Sequence, residues 1–272
     1  METPVRSARR ESAPLRSTLV AIGLTIFGLL GAAIATLPAV LVDPMLAKGV
    51  AAASIEGQTL YMILNFVGMA LAGAIYLAAT GRGWSYVDFR LPSTTGWIYV
   101  LVGMGASIAF LFVVNIVVQL LSLPAAESEV VAIVGQDQTM ILIMIGIVVF
   151  FNAPAEEFLF RNVVQKRLYE AFTRMQSVLL ASTIFALVHF PMYVALADSI
   201  AATLTSLAIM FGGAIIFGTL YVKTRNLVVP IAAHAALNAF QFGVLYLAIE
   251  YNVEGVGTSP SAIVGILPSL PP

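Results

Sequence analysis

Three short spacings in this sequence place side chains that can move protons, or hold a metal ion, inside segments otherwise built of hydrocarbon. The first is Glu156-Glu157-x-x-x-Arg161, in "NAPAEEFLFRN". On a helix Glu157 and Arg161 are four residues apart and share a face, so they can pair. Glu156 is turned by about 100° from Glu157 and is not committed to the same partner. One carboxylate is thereby held by a guanidinium while its neighbour stays free to act as a base. The plain alternative is an interfacial cap, with both acids and Arg161 facing water at the cytoplasmic end of a membrane span.

The chain has two histidines, His189 in "STIFALVHFP" and His234 in "IAAHAALNAF", and both lie inside apolar segments rather than in loops. A single buried histidine is more often a satisfied core residue than a ligand. Two of two, in a chain that also buries a carboxylate pair, favour a site. His234 and Asn238 are four apart on one helix face, and Phe185 and His189 share that spacing. Pro191 follows His189 closely and is expected to bend the helix there. His189 reaches the depth of the others only if its helix begins before Val178. Phe185 is expected to pack, walling the cavity.

The elements that must position these groups are membrane helices. Sixty per cent of the 272 residues are hydrophobic and 10% charged, with a mean hydropathy of +0.97. Such a chain lacks the polar surface to cover a water-soluble domain. A net charge of −1 offers no basic surface for nucleic acid. The absence of cysteine excludes disulfides, thiolate ligands and a cysteine nucleophile. Stretches near the ~20 residues needed to cross a bilayer run over Ser17 to Val42, Leu60 to Thr80, Trp97 to Leu121, Met140 to Asn152, Val178 to Leu196, Ala201 to Val222 and Leu227 to Ile249. The expected fold is all-α, a polytopic bundle of seven to eight spans, with room in the Ser122 to Gln138 loop for an eighth span or a re-entrant piece. Its catalytic cavity is expected to open toward the cytoplasm. Residues 1–16 form a basic arm, 17–250 one membrane domain with the motifs within 139–249, and 251–272 a mobile tail rich in Gly, Ser and Pro. With the loops assigned to alternating sides, twelve of the thirteen Lys and Arg residues fall on one side and only Lys48 on the other. That places the N-terminus in the cytoplasm.

The ordered set Glu156-Glu157-x-x-x-Arg161, Phe185-x-x-x-His189 and His234-x-x-x-Asn238, each in its own membrane helix, resembles the CPBP or Abi family of intramembrane proteases. That family includes the CAAX-processing endopeptidases of prenylated proteins and the bacteriocin-processing and immunity proteins. Many members have Gly after the motif arginine where this chain has Asn162, and the family core is usually drawn with eight helices. The resemblance implies hydrolysis of a peptide bond in a membrane-bound or lipidated protein substrate, near the cytoplasmic face, in the plasma membrane of a prokaryote. Glu156 would activate water and Glu157 would be held by Arg161. His189, His234 and Asn238 would position the water and stabilise the oxyanion; alternatively Glu156, His189 and His234 would hold Zn²⁺ or another divalent metal. Two imidazoles and a carboxylate suit zinc and leave a position open for water.

Two rival readings belong to other classes. A proton-coupled transporter would spread ionisable groups through the bilayer, whereas here they gather in the second half of the chain. A non-catalytic scaffold or immunity protein of the same fold would keep the residues without turnover. Gly212, Gly213 and Gly218 are expected at close helix contacts. Lys166, Arg167 and Arg174 are expected as anchors at the cytoplasmic interface, and Asn115 in an interhelical hydrogen bond.

Overall fold

The computed structural model describes residues 13–126, 135 and 137–252, and all its regular elements are helical. Helices α1 (Ala13–Val42), α2 (Ile55–Ala79), α3 (Thr94–Leu120), α4 (Gln138–Leu168), α7 (Ile200–Thr224) and α8 (Val228–Glu250) are each long and apolar enough to cross a membrane. Between α4 and α7 lie α5 (Arg174–Val188) and α6 (Phe190–Leu196), which meet at a 41° bend and together make a seventh candidate span. The expected all-α polytopic bundle is present. The proposed eighth span falls on a loop mostly outside the described residues, as do the basic arm up to residue 12 and the tail beyond 252.

Helix starts follow local capping rules. Ser54, Ser93, Asp137, Thr173 and Ser199 each accept a backbone N–H of the first turn through the side chain. Thr173 and Gln176 form a reciprocal capping box, so α5 begins at Arg174, four residues ahead of the expected Val178. Where α1 crosses α2, Gly31 lies against Gly68, so that a methyl added to Gly31 would sit 2.9 Å from the Gly68 carbonyl oxygen. Bare glycine lets the two backbones approach.

The fourth span differs most from expectation. The apolar run from Met140 breaks at Asn152, but the helix runs on to Leu168 and places Glu156, Glu157 and Arg161 within it rather than at its end. From Leu159 to Gln165 every side chain is buried. Burial on all sides marks a helix enclosed by others, and α4 contacts α1, α2, α5, α7 and α8. Two π-helical turns, Val148–Asn152 and Phe158–Gln165, interrupt its α-helical winding on either side of the glutamates. Such turns are frequent at functional sites because the wider winding re-aims side chains.

Basic residues gather at one end of the bundle. Ser17 on the first turns of α1 donates to the Arg167 carbonyl. Arg82 pairs with Glu170 at 3.4 Å, and Arg90 donates to the Arg225 carbonyl. Lys166, expected as a simple anchor, donates to Asp88 at 2.9 Å and stands 4.1 Å from the centre of the Tyr86 ring. Asp88 also accepts from Tyr221 at 2.6 Å, and Tyr221 accepts from Asn162 at 3.1 Å. The loop between α2 and α3 is thereby strapped to α4 and α7.

Two smaller expectations are corrected. Gly212 lies against Phe110, and Gly218 against Gln165 and Val178, as close contacts require, but Gly213 has no neighbour within 4 Å of an added Cβ. Gly213 faces open space. Asn115 accepts from Gln119 at 3.0 Å within α3, not between helices.

Candidate active site

Glu157 and Arg161 form the bottom of the site. Arg161 Nε donates to Glu157 Oε2 at 2.8 Å, and both side chains are fully buried. This pair is four residues apart, as the spacing predicts, and its burial rules out the cap facing water. The pair is only partly satisfied: Glu157 engages both of its oxygens, whereas Nη1 and Nη2 of Arg161 are buried with no hydrogen-bond partner among the described residues. The second carboxylate oxygen, Oε1, is 3.0 Å from Nδ1 of His234, 77 residues away on α8. The Phe185 ring lies 5.6 Å from the guanidinium carbon, as a cation–π partner.

His234 is therefore gripped on one side and open on the other. Glu157 Oε1 accepts from Nδ1–H of His234, and in that neutral tautomer the ring presents the lone pair of Nε2. This tautomer is assigned from the hydrogen-bond network. Phe217 on α7 stacks on the imidazole, with centroids 4.7 Å apart and planes 16° from parallel. Nε2 faces Glu156, whose Oε2 is 4.0 Å away. That gap is too long for a direct hydrogen bond and suits one water between two groups that can both accept from it. The side chains of Glu156 and His234 keep 13% and 10% exposure, against none for Glu157.

The other oxygen of Glu156 is already occupied. Asn152 Nδ2 donates to Glu156 Oε1 at 2.9 Å, and Asn152 Oδ1 accepts from Asn238 Nδ2 at 3.0 Å. Asn238 thus meets Glu156 only through Asn152. Sequence reasoning passed over Asn152, although its place four residues before Glu156 was a legible signal. Phe217 carried no motif and could not have been found that way.

His189 stands apart from this network. It is the residue at the joint of α5 and α6, with Pro191 in the first turn of the next helix. Its backbone N–H turns to the Ala186 carbonyl, which releases the Phe185 carbonyl to bond the ring Nδ1 at 2.7 Å. The Phe185 ring packs 4.8 Å from the imidazole and edge-on, also at 4.8 Å, to Phe160. Phe185 thus packs between Phe160 and the imidazole, and its carbonyl also orients His189. Both imidazoles are held by Nδ1 with Nε2 left free.

This donor chemistry suits a metal, but the spacing does not. Among the described residues no group of three or more His, Cys, Asp or Glu is close enough to hold an ion. Glu156 and His234 approach one another, while His189 bonds neither glutamate.

No curated protein and no solved structure matches the chain. Residues 138–240, the stretch that holds every residue of this constellation, match the Rce1-like family, described as type II CAAX prenyl endopeptidase Rce1-like, which is the CAAX-processing side of the resemblance carried by the three motifs.

Proposed function

We propose that this protein is an intramembrane endopeptidase of the CAAX-processing type, in which Glu156 is the general base. The observation that carries the reading is the 4.0 Å approach of Glu156 Oε2 to His234 Nε2, two acceptors facing one another inside a helical bundle. A water between them donates one hydrogen to each, which turns its lone pairs toward a peptide carbonyl. Glu156 takes the proton as the water oxygen bonds to the carbonyl carbon. The tetrahedral intermediate then collapses, the C–N bond breaks, and Glu156 returns the proton to the leaving amine. A carboxylic acid and an amine are the products.

The remaining residues hold this geometry. Glu157, fixed by Arg161, sets the tautomer and angle of His234. His189, the remaining motif residue, is left to stabilise the developing oxyanion. These side chains suffice for hydrolysis, and no step requires a metal.

The substrate we infer is a prenylated protein or peptide with a C-terminal CAAX sequence, presented from the lipid phase. The basic end of the bundle faces the cytoplasm, as does the N-terminus. Glu156 lies ten residues from Lys166, about 15 Å at helical rise, so cleavage occurs nearer that face.

The test compares wild type and Glu156→Gln, at matched levels in membranes, by mass spectrometry of new protein termini. Termini formed by wild type alone support the reading and name the substrate. Equal cleavage by both proteins would remove Glu156 as the base.

A further inference from the structure

We infer that Asn152 is a positioning residue for the reaction, which orients the Glu156 carboxylate so that Oε2 alone faces the reacting water, and through which Asn238 acts. The inference rests on the reading of Glu156 as the base.

Three observations support it. Asn152 is buried at 9% exposure, and both ends of its amide are used: Nδ2 to Glu156 Oε1 and Oδ1 from Asn238 Nδ2. An amide with each end engaged cannot flip without losing both bonds. A carboxylate on an unbranched side chain otherwise rotates freely about its last torsion, which is broad and two-fold. Fixing Oε1 sets the plane of the group and leaves Oε2 directed at His234 Nε2. Asn152 also ends the π-helical turn Val148–Asn152, so the wider winding falls on the residue that must reach both Glu156 and α8.

Asn238 is then the link that ties α4 to α8 on the Glu156 side, as His234 ties them on the Glu157 side. Each glutamate is held by a residue of its own helix, Asn152 for Glu156 and Arg161 for Glu157. Each of these contacts is one helical turn in length, and each is joined to α8 by one further hydrogen bond, Asn152 to Asn238 and Glu157 to His234. The side chains on α8 that close the two links, His234 and Asn238, are themselves one turn apart. The register between the two helices is therefore set twice, and loss of Asn152 removes the half that aims the base.

The experiment uses the full-length protein in nanodiscs with an internally quenched farnesylated CAAX peptide. Asn152→Ala removes both bonds. Asn152→Leu keeps the volume but has neither the N–H for Glu156 nor the acceptor for Asn238, so it also carries the test should the alanine variant fail to fold. Both variants should lose about tenfold to a hundredfold in kcat, the size expected for a misaimed catalytic group, with KM within about twofold of wild type. Asn238→Ala should have little further effect in the Asn152→Ala background, because the two act in series. If Asn152→Leu keeps the wild-type kcat, or the losses at Asn152 and Asn238 multiply, the inference is overturned, while an inactive Glu156→Gln leaves the base in place. Wild-type rates in Glu156→Gln, or no cleavage by wild type, would instead remove the reading beneath it.

Discussion

Glu157 reaches His234 at 3.0 Å from one carboxylate oxygen and takes Arg161 at 2.8 Å on the other, with no exposure of its own. One buried side chain thus neutralises a cation and orients an imidazole. The two tasks separate under mutation.

Glu157→Gln leaves the Arg161 charge buried without its counterion, which costs about 3 to 5 kcal/mol. Glu157→Leu combined with Arg161→Met removes both charges and should recover most of that stability. It should not recover cleavage, because His234 keeps no partner at Nδ1. Thermal unfolding in detergent, followed beside peptide cleavage, checks both statements. Recovery of activity in the double variant would show that Arg161 and Glu157 serve stability alone.

Phe185 offers a second separation. Its carbonyl, not its ring, anchors His189. Phe185→Leu keeps the backbone bond and much of the volume, so kcat should fall by no more than about threefold. Phe185→Ala empties the space against Phe160 and the Arg161 guanidinium and should cost about 3 to 5 kcal/mol. A large loss of kcat in a well-folded leucine variant would assign the ring a part in the reaction.

Metal removal tests the spacing of the donors. With His189 bonded to neither Glu156 nor His234, treatment with 1,10-phenanthroline should leave cleavage unchanged. Inhibition reversed by added zinc would show that the two Nε2 atoms and Glu156 close around an ion when substrate binds.

The glycines of α7 give a prediction about packing. Gly218→Ala drives a methyl to 2.8 Å from Gln165 Oε1 and 3.0 Å from Val178, which should destabilise by about 1 to 3 kcal/mol. Gly213→Ala meets nothing within 4 Å and should be neutral or slightly stabilising. Unfolding temperatures of the two variants, measured side by side, decide it. Equal effects would mean that α7 does not pack through Gly218.

Hydropathy and short spacings determined much of this protein. A run of about twenty apolar residues has no stable place but a membrane, and four-residue spacing forces neighbours onto one helix face. Spans, basic end, the Glu157–Arg161 pair and the set of motif residues were therefore legible. Apolar periodicity could not show how far α4 continues past Asn152, because a helix enclosed by other helices can carry Glu157, Arg161, Asn162 and Gln165 where neighbours engage at least part of each polar group. Those neighbours are distant in sequence: His234 for Glu157, Tyr221 for Asn162, and the Gly218 carbonyl for Gln165. Spacing within one helix is local and can be counted along the chain. Which glutamate meets His234 through Nδ1 and which faces Nε2, the intervention of Asn152 before Asn238, and the separation of His189 depend on how α4, α5 and α8 pack, and only the tertiary structure decided them.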